Sequence, residues 1–124
     1  MKKILIIEDD EAISDALSLA LEMEGYAVQP ILKAKKCMET IKKFKPDLIL
    51  LDLLLSGVDG RDVIRDIKKH KSFSAIPIIL TSAHPTAKKV AKEMGVQGFI
   101  AKPFNLSELY RKVAFLTSRK KVLD

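Results

Sequence analysis

The chain has 124 residues, of which 48% are apolar and 31% charged, and its 22 basic and 16 acidic side chains give a formal net charge of +6. This size and balance are typical of one globular domain, and a content of only five glycines and five prolines argues against a low-complexity or disordered chain. The single cysteine, Cys37, excludes an internal disulfide, and the longest apolar run is far too short to span a membrane, so we expect a cytoplasmic location.

The charges are segregated along the chain. Residues 1–32 hold seven acids and two lysines, whereas residues 33–45 hold six lysines and one acid. A basic total is a general indication of nucleic-acid or anionic-lipid binding. Because the lysines here fall at helical positions, we interpret them as solvated helix faces, and the acidic region needs its own explanation.

The apolar pattern alternates between the period of a strand and that of a helix. In chain order it predicts strand 3–7, helix 12–24, a weaker strand that begins with residues 26–28, helix 34–44, strand 48–51, helix 60–69, strand 77–80, helix 86–94, strand 98–101 and a last helix on Leu106, Leu109, Val113 and Leu116. Gly25 and Pro46 are typical helix ends, and Pro30 interrupts the second strand, which indicates the edge of a sheet. The alternation predicts an α/β fold with a parallel sheet, helices on both faces and right-handed crossovers.

In sheets of this kind, functional groups gather at the carboxyl ends of the strands. Three carboxylates, two hydroxyls and one lysine follow the predicted strands: Glu8 and Asp9 after the first, Asp52 after the third, Thr81 and Ser82 after the fourth, and Lys102 after the fifth. Three carboxylates at one edge repel one another unless a cation compensates their charge. An all-oxygen cluster suits Mg²⁺, or Mn²⁺ in its place.

Any single acid that follows a strand, taken alone, could equally be a turn residue or a helix cap. That is our interpretation of Asp10, Glu11 and Asp59. Asp52 differs because it interrupts the most apolar stretch of the chain, where an unpartnered charge is costly. We interpret Lys102, which cannot be a metal ligand while it is protonated, as a partner of Asp52 or of an incoming anion.

Five motifs in this order resemble the receiver domain of two-component response regulators. They are Ile4 to Asp10, Asp47 to Asp52, Gly57 to Gly60, Pro77 to Ala83, and Lys102-Pro103-Phe104. The resemblance covers essentially all of residues 2–117 and implies a flavodoxin-like (βα)5 sandwich whose parallel five-stranded sheet has the order 2-1-3-4-5. It places a receiver at residues 1–117 and leaves 118–124 as a basic C-terminal tail or linker stub.

By this resemblance, Asp52 is the phosphoacceptor of a phosphorelay and receives its phosphoryl group from a partner histidine kinase or phosphotransfer protein. Lys102, in a cis peptide bond with Pro103, would contact Asp52 and then the phosphate. The Mg²⁺ would be held by Glu8, Asp9, Asp52 and the backbone carbonyl of Leu54. Such a chain is a signalling switch rather than an enzyme, and it catalyses its own phosphorylation and slow dephosphorylation.

The resemblance also implies how the signal leaves the site. Ser82 would be the switch hydroxyl and Phe99 the aromatic residue that changes rotamer with it, and Thr81 takes the role of Ser82 if the fourth strand slips by one residue. The face formed by the fourth helix, fifth strand and fifth helix would then bind a downstream protein or output domain, and a phosphorylation-dependent dimer is a further expectation. Because the apolar Leu54 stands at a position that tunes dephosphorylation in the family, we expect a long-lived phosphoryl group.

Three other functions are less compatible with this sequence. A receiver fold could dock proteins without phosphorylation, although the complete set of acids and lysine argues against this. A hydrolase or nucleotide-binding domain would need a glycine-rich loop after the first strand, or a second Asp where Leu54 stands. DNA or membrane binding by this chain is not expected, since residues 118–124 are too few for a helix-turn-helix.

Overall fold

Five parallel strands form the central sheet of the computed structural model, which describes residues 1–55 and 57–122. They are β1 (Lys3–Ile7), β2 (Ala27–Ile31), β3 (Leu48–Asp52), β4 (Ile78–Ser82) and β5 (Gly98–Ala101). Their order across the sheet is β2-β1-β3-β4-β5, and every neighbouring pair is parallel. The predicted α/β fold and its strand order 2-1-3-4-5 are confirmed.

The five predicted helices are also present. They are α1 (Glu11–Met23), α2 (Cys37–Phe44), which follows a short 3-10 turn (Ala34–Lys36), α3 (Gly60–Lys69), α4 (Ala87–Met94) and α5 (Leu106–Val122). Helix α5 includes residues 118–122, and Leu123 and Asp124 lie outside the described residues. The division into a receiver at 1–117 and a tail at 118–124 stays a prediction. Across the described ranges, none of the helices has the length and apolarity needed to cross a membrane.

The two faces of the sheet are covered by different helices. Alternate side chains of β1 point to opposite faces: Leu5 and Ile7 join one apolar cluster, and Ile4 and Ile6 join the other. The first cluster packs against α2, α3 and α4, and the second packs against α1 and α5. Because both faces are buried, β1 is apolar from Ile4 to Ile7 and β3 from Leu48 to Leu51, and these stretches are continuous apolar runs in the sequence.

The strand at the sheet edge differs from its prediction. Strand β2 continues through Pro30 to Ile31, so the proline does not interrupt it as predicted. Pro30 is tolerated because β2 pairs only with β1 and bonds to it through the Ala27 N–H and the Ile31 carbonyl, so the nitrogen of Pro30 faces the unpaired side. The predicted edge position is confirmed, and only the interruption at Pro30 was wrong.

A short antiparallel pair of strands, Leu54–Leu55 with Val58–Asp59, follows β3 and was not predicted. Two-residue strands carry no readable period in a sequence. Helix α3 then begins at Gly60, whose N–H donates to the Leu53 carbonyl oxygen at 2.9 Å. A Cβ at Gly60 would lie 2.7 Å from that same oxygen, so glycine is required for this close approach. The contact holds the segment that follows Asp52 against the start of α3.

Candidate functional site

The carboxyl ends of β1 and β3 bring three acids together at one edge of the sheet. Glu8 and Asp9 follow β1, and Asp52 is the last residue of β3. Each of the three offers a carboxylate oxygen, and these oxygens all lie within 4.8 Å of one another. The expected convergence of these acids is therefore present in the structure.

Lys102 follows β5 and reaches into this acidic cluster. Its Nζ donates to Glu8 Oε1 at 2.6 Å and to Asp52 Oδ2 at 3.2 Å, and its side chain is 17% exposed. The Lys102-Pro103 peptide bond is cis, as the sequence motif implied. We expected Lys102 to pair with Asp52, but its shorter contact is with Glu8. A single ammonium therefore bridges two of the three carboxylates.

Burial and neighbouring charges shift the pKa values of Glu8 and Lys102. Glu8 is only 2% exposed, and its pKa lies above the usual range because burial and the charge of Asp52 outweigh the hydrogen bond from Lys102. Burial alone would lower the pKa of Lys102, but its bond to Glu8 and the charge of Asp52 raise it instead. Three carboxylates facing one ammonium leave an excess of negative charge, which a bound cation would neutralise.

The residues present fit a magnesium ion. All the candidate ligands are oxygens, and carboxylate oxygens are the protein donors that Mg²⁺ prefers. The second oxygen of Asp52, Oδ1, accepts the backbone N–H of Leu54 at 3.2 Å, which orients the carboxylate. This cluster of Glu8, Asp9 and Asp52 is consistent with a receiver magnesium site. The Leu54 carbonyl as a further ligand stays a prediction.

Two buried hydroxyls end the neighbouring strand β4. Thr81 pairs in register with Asp52, and its hydroxyl donates to the Leu51 carbonyl oxygen at 3.5 Å, at the long limit for a hydrogen bond. The Ser82 hydroxyl instead accepts the backbone N–H of His84 at 3.0 Å. As an acceptor in that bond, Ser82 keeps its own hydrogen available to donate. The two hydroxyls thus differ in what they can offer an incoming anion.

Three further acids lie at the starts of helices, as predicted. Asp10 caps α1 by accepting the backbone N–H of Ile13 at 3.1 Å. Asp59 caps α3 by accepting the N–H of Arg61 at 2.9 Å, and the hydrogen bonds from Arg61 hold the pKa of Asp59 below its usual range. Glu11 stands in the first turn of α1. These acids support helices and do not join the cluster.

The predicted output face, formed by α4, β5 and α5, carries a groove of about 750 Å³. Phe99 of β5 is half-buried at this groove, and its backbone carbonyl accepts a bond from Lys112 Nζ at 2.7 Å. Sequence reasoning named the face but missed the basic residues that line it, namely Lys88, Arg111 and Lys112. They lie on two helices, so no spacing along the sequence could have indicated that they share a surface.

Comparison with known proteins identifies related chains. The family model of the response regulator receiver domain matches residues 4–114. A curated relative, the DNA-binding dual master transcriptional regulator RpaA of Synechocystis sp., is 37% identical over 121 residues, which is 96% of this chain and 50% of the relative. The chain thus spans about half the length of that relative.

Solved structures share the same architecture. A response regulator receiver domain protein from Clostridium thermocellum matches with a TM-score of 0.89 over 100% of both chains, and at 23% identity it shows the fold alone. The signal receiver domain of a signal transduction histidine kinase from Syntrophus aciditrophicus matches with a TM-score of 0.86 at 29% identity. That match covers 95% of this chain and 91% of the other.

Proposed function

The chain belongs to the response regulator receiver family, and on this basis we propose that it is a phosphorylatable switch of a two-component phosphorelay. Asp52 accepts a phosphoryl group from the phosphohistidine of a partner histidine kinase or phosphotransfer protein. One observation carries this proposal. The Asp52 carboxylate is held between the Lys102 ammonium and the Leu54 N–H, beside two further carboxylates that can share a cation.

The transfer is a displacement at phosphorus. A carboxylate oxygen of Asp52 forms a bond to the phosphorus as the bond from phosphorus to the donor's imidazole nitrogen breaks, and the imidazole keeps the electron pair of that bond. Such a reaction needs little covalent help from the protein, and positioning with neutralisation of charge supplies most of the catalysis. The bonds from Lys102 and Leu54 orient the Asp52 carboxylate for attack.

Glu8, Asp9 and Asp52, with the Leu54 carbonyl, would hold the Mg²⁺ or Mn²⁺. When bound, the ion neutralises the oxygens of the transferring phosphoryl group. Lys102 is a second positive charge that acts on the same phosphoryl oxygens. Its ammonium already bridges Glu8 and Asp52, and after the transfer it would bind a phosphoryl oxygen on Asp52. The transfer therefore exchanges a carboxylate contact of Lys102 for a phosphate contact.

The hydrogen-bond pattern favours Ser82 over Thr81 as the switch hydroxyl. The Thr81 hydroxyl donates its hydrogen bond to the Leu51 carbonyl oxygen. The Ser82 hydroxyl is an acceptor in its bond with His84 and can donate its own hydrogen to a phosphate oxygen. Ser82 also pairs in register with Ala101 of β5, two residues after Phe99. A movement of Ser82 toward the phosphate thus acts on the strand that carries Phe99. The α4-β5-α5 face then changes its affinity for a downstream protein, an output domain or a second copy of the chain.

The proposal is tested by intact-mass measurement with acetyl phosphate as the phosphodonor. In the presence of Mg²⁺ we expect the wild type to gain one phosphoryl group, and we expect no gain after chelation of the metal. The Asp52→Asn variant should gain none, whereas Asp62→Asn, which removes an exposed acid of α3 paired with Arg65, should behave as the wild type. No gain in the wild type, or an equal gain in Asp52→Asn, would overturn the proposal.

A further inference from the structure

A separate pocket lies at the amino end of β3, away from the acidic cluster at its carboxyl end. The pocket has a volume of about 430 Å³ and is formed by the end of α2, the residues that lead into β3 and the segment between α3 and β4. Six side chains define this amino-end pocket: Ile41, Lys42, Lys45, His70, Phe73 and Ile76. Because β3 is five residues long, its start lies roughly 16 Å from Asp52. The pocket and the acidic cluster are therefore distinct sites.

The floor of the amino-end pocket is apolar and well ordered. Ile41 and Phe73 are 1% and 8% exposed and belong to the apolar cluster under α2, α3 and α4, and the half-buried Ile76 packs against that cluster. The Phe73 N–H donates to the His70 carbonyl at 2.9 Å, and the Ile76 N–H donates to the Phe73 carbonyl at 3.0 Å. A wall that is already held by such bonds loses little conformational entropy when a ligand binds.

His70 presents a hydrogen-bond donor in a fixed orientation beside this floor. Its ring stacks on the ring of Phe73, with centroids 3.9 Å apart and planes inclined by 10°. Its Nδ1 accepts the backbone N–H of Ser72 at 3.2 Å, so the hydrogen of the neutral imidazole is on Nε2. The Nε2–H can then donate to a ligand in the pocket without any change in the His70 ring.

The lining of the pocket carries a net positive charge. Lys42 and Lys45 are exposed, and neither takes part in the ion pairs found among the described residues. Asp47 is the one acid among the described lining residues, and its Oδ2 accepts the backbone N–H of Lys3 at 2.8 Å, which holds this oxygen toward β1. Two lysines and one aspartate leave a single positive charge, which suits a ligand with one negative charge.

Lys45 occupies a backbone position that suits glycine. It follows the last turn of α2 with φ 54° and ψ 63°, and among the described residues it is the one residue other than glycine with a positive φ. A Cβ disfavours this left-handed conformation, so glycine is the usual residue at such a helix end. Lys42, in the last turn, is accounted for by the helix dipole. The ammonium of Lys45 at the pocket gives a reason for lysine where the backbone alone favours glycine.

We propose that the amino-end pocket binds a small aromatic carboxylate. The flat ring of the ligand lies on the floor formed by Ile41, Phe73 and Ile76, and its carboxylate accepts hydrogen bonds from Lys42, Lys45 and the Nε2–H of His70. An apolar floor with a few polar groups at its mouth is typical of small-molecule sites, and the volume lies in their range. This assignment goes beyond the proposed function and does not depend on phosphorylation of Asp52.

The test uses three compounds that share an indole ring and differ in charge near neutral pH: indole-3-acetate is an anion, indole-3-acetamide is neutral and tryptamine is a cation. Amide NMR titration of the full chain measures their binding. We expect indole-3-acetate to bind with a dissociation constant of about 1 mM or lower, and at least about tenfold more tightly than the amide. Tryptamine should bind most weakly. The shift changes should centre on Ile41, Phe73 and Ile76.

A matched pair of double variants tests the role of the two lysines. Lys42→Gln with Lys45→Gly removes both ammonium groups, and it should weaken indole-3-acetate by at least about tenfold. Because glycine suits the left-handed conformation, this variant should not unfold at a lower temperature than the wild type. Lys36→Gln with Lys43→Gln makes the same change in net charge at exposed positions of the same region that do not line the pocket, and it should cost less than about twofold.

Four results would overturn the assignment: equal binding of the three compounds, no saturable shift at several millimolar indole-3-acetate, shift changes centred on the α4-β5-α5 groove, or an equal loss in the control variant. The proposed function fails on a different measurement, the gain of a phosphoryl group at Asp52. The Asp52→Asn variant should therefore bind indole-3-acetate as the wild type does.

Discussion

Lys102 Nζ lies 2.6 Å from Glu8 Oε1, a closer contact than the 3.2 Å that separates it from the proposed phosphoacceptor, Asp52. Glu8 and Lys102 are 94 positions apart in the sequence, so only the folded sheet brings them together. The Lys102 ammonium neutralises part of the charge of the three carboxylates, and the proposed metal ion would neutralise the rest. Loss of Lys102 would therefore leave more of this charge for the metal ion to neutralise.

We therefore expect Lys102→Met to destabilise the metal-free protein by about 3 kcal/mol near neutral pH, because it leaves buried carboxylates without their counter-charge. Added Mg²⁺ should recover part of this loss. The pKa of Glu8, already raised, rises further in the variant. A raised carboxyl pKa adds stability below the unfolded value and loses it as the pH rises, so the deficit should shrink in mild acid. Urea unfolding with and without Mg²⁺ measures both effects.

Lys43→Met is the control for that experiment. Lys43 pairs with Glu39 at 3.3 Å, but both side chains are largely exposed. Exposed ion pairs contribute little, so we expect a change below about 0.5 kcal/mol and no response to Mg²⁺. A loss in Lys102→Met no larger than that of the control would contradict the bridging role of Lys102.

The second prediction separates Ser82 from Thr81. Ser82→Ala should leave Asp52 able to accept a phosphoryl group but uncouple it from the groove, since the donor hydrogen for the phosphate is lost. Thr81→Val removes only the long bond to Leu51 and should keep the coupling. A fluorine label on the ring of Phe99 reports the change by NMR, with and without beryllofluoride. The reverse pattern would assign the switch to Thr81.

The third prediction concerns the lifetime of the phosphoryl group. Leu54 is 59% exposed beside Asp52, and its apolar side chain offers no hydrogen bond to an attacking water. Leu54→Asn should speed the loss of phosphate about five- to tenfold, which corresponds to about 1–1.4 kcal/mol in the barrier. Phosphate release from the acetyl-phosphate-treated protein measures it. Val58→Asn, a similar change in the same short strand pair, is the control and should leave the rate unchanged.

The fold could be predicted because its signals are local and repeated. The apolar run of β1 and the helical period of α1 each follow from covering both faces of a parallel sheet. The predicted interruption of β2 was wrong because the tolerance of Pro30 depends on which edge of the strand is paired, and that is a property of the assembled sheet. The short pair at Leu54–Leu55 was missed because two residues carry no period.

The site was predictable at the level of residues but not of contacts. Strand ends place Glu8, Asp52 and Lys102 at one edge, which the topology of a parallel sheet requires. Which carboxylate Lys102 approaches more closely depends on side-chain geometry, and no spacing encodes it. The basic groove was missed for a similar reason, since Lys88 and Arg111 become neighbours only when α4 and α5 pack beside β5.

The fourth prediction concerns Cys37, the first residue of α2. It is 2% exposed, and burial, with a smaller effect from the charge of Asp66, raises the pKa of its thiol from 9.0 to about 12. A thiol pKa that is higher in the folded state adds stability that is complete below the unfolded pKa and is lost as the pH rises through the folded one. The free energy of unfolding should therefore fall by about 1.4 kcal/mol for each pH unit above about pH 9 from this group alone.

Urea unfolding of the wild type and of Cys37→Ala across this alkaline range isolates that contribution, because all the other residues are the same in both proteins. We expect the wild type to lose about 2 kcal/mol more than the variant between about pH 9 and pH 10.5. The native thiol should also react with a thiol reagent only as fast as the helix opens, since the thiolate is the nucleophile and burial suppresses it. Parallel pH profiles together with fast native labelling would show that Cys37 is ionised and accessible in the folded protein.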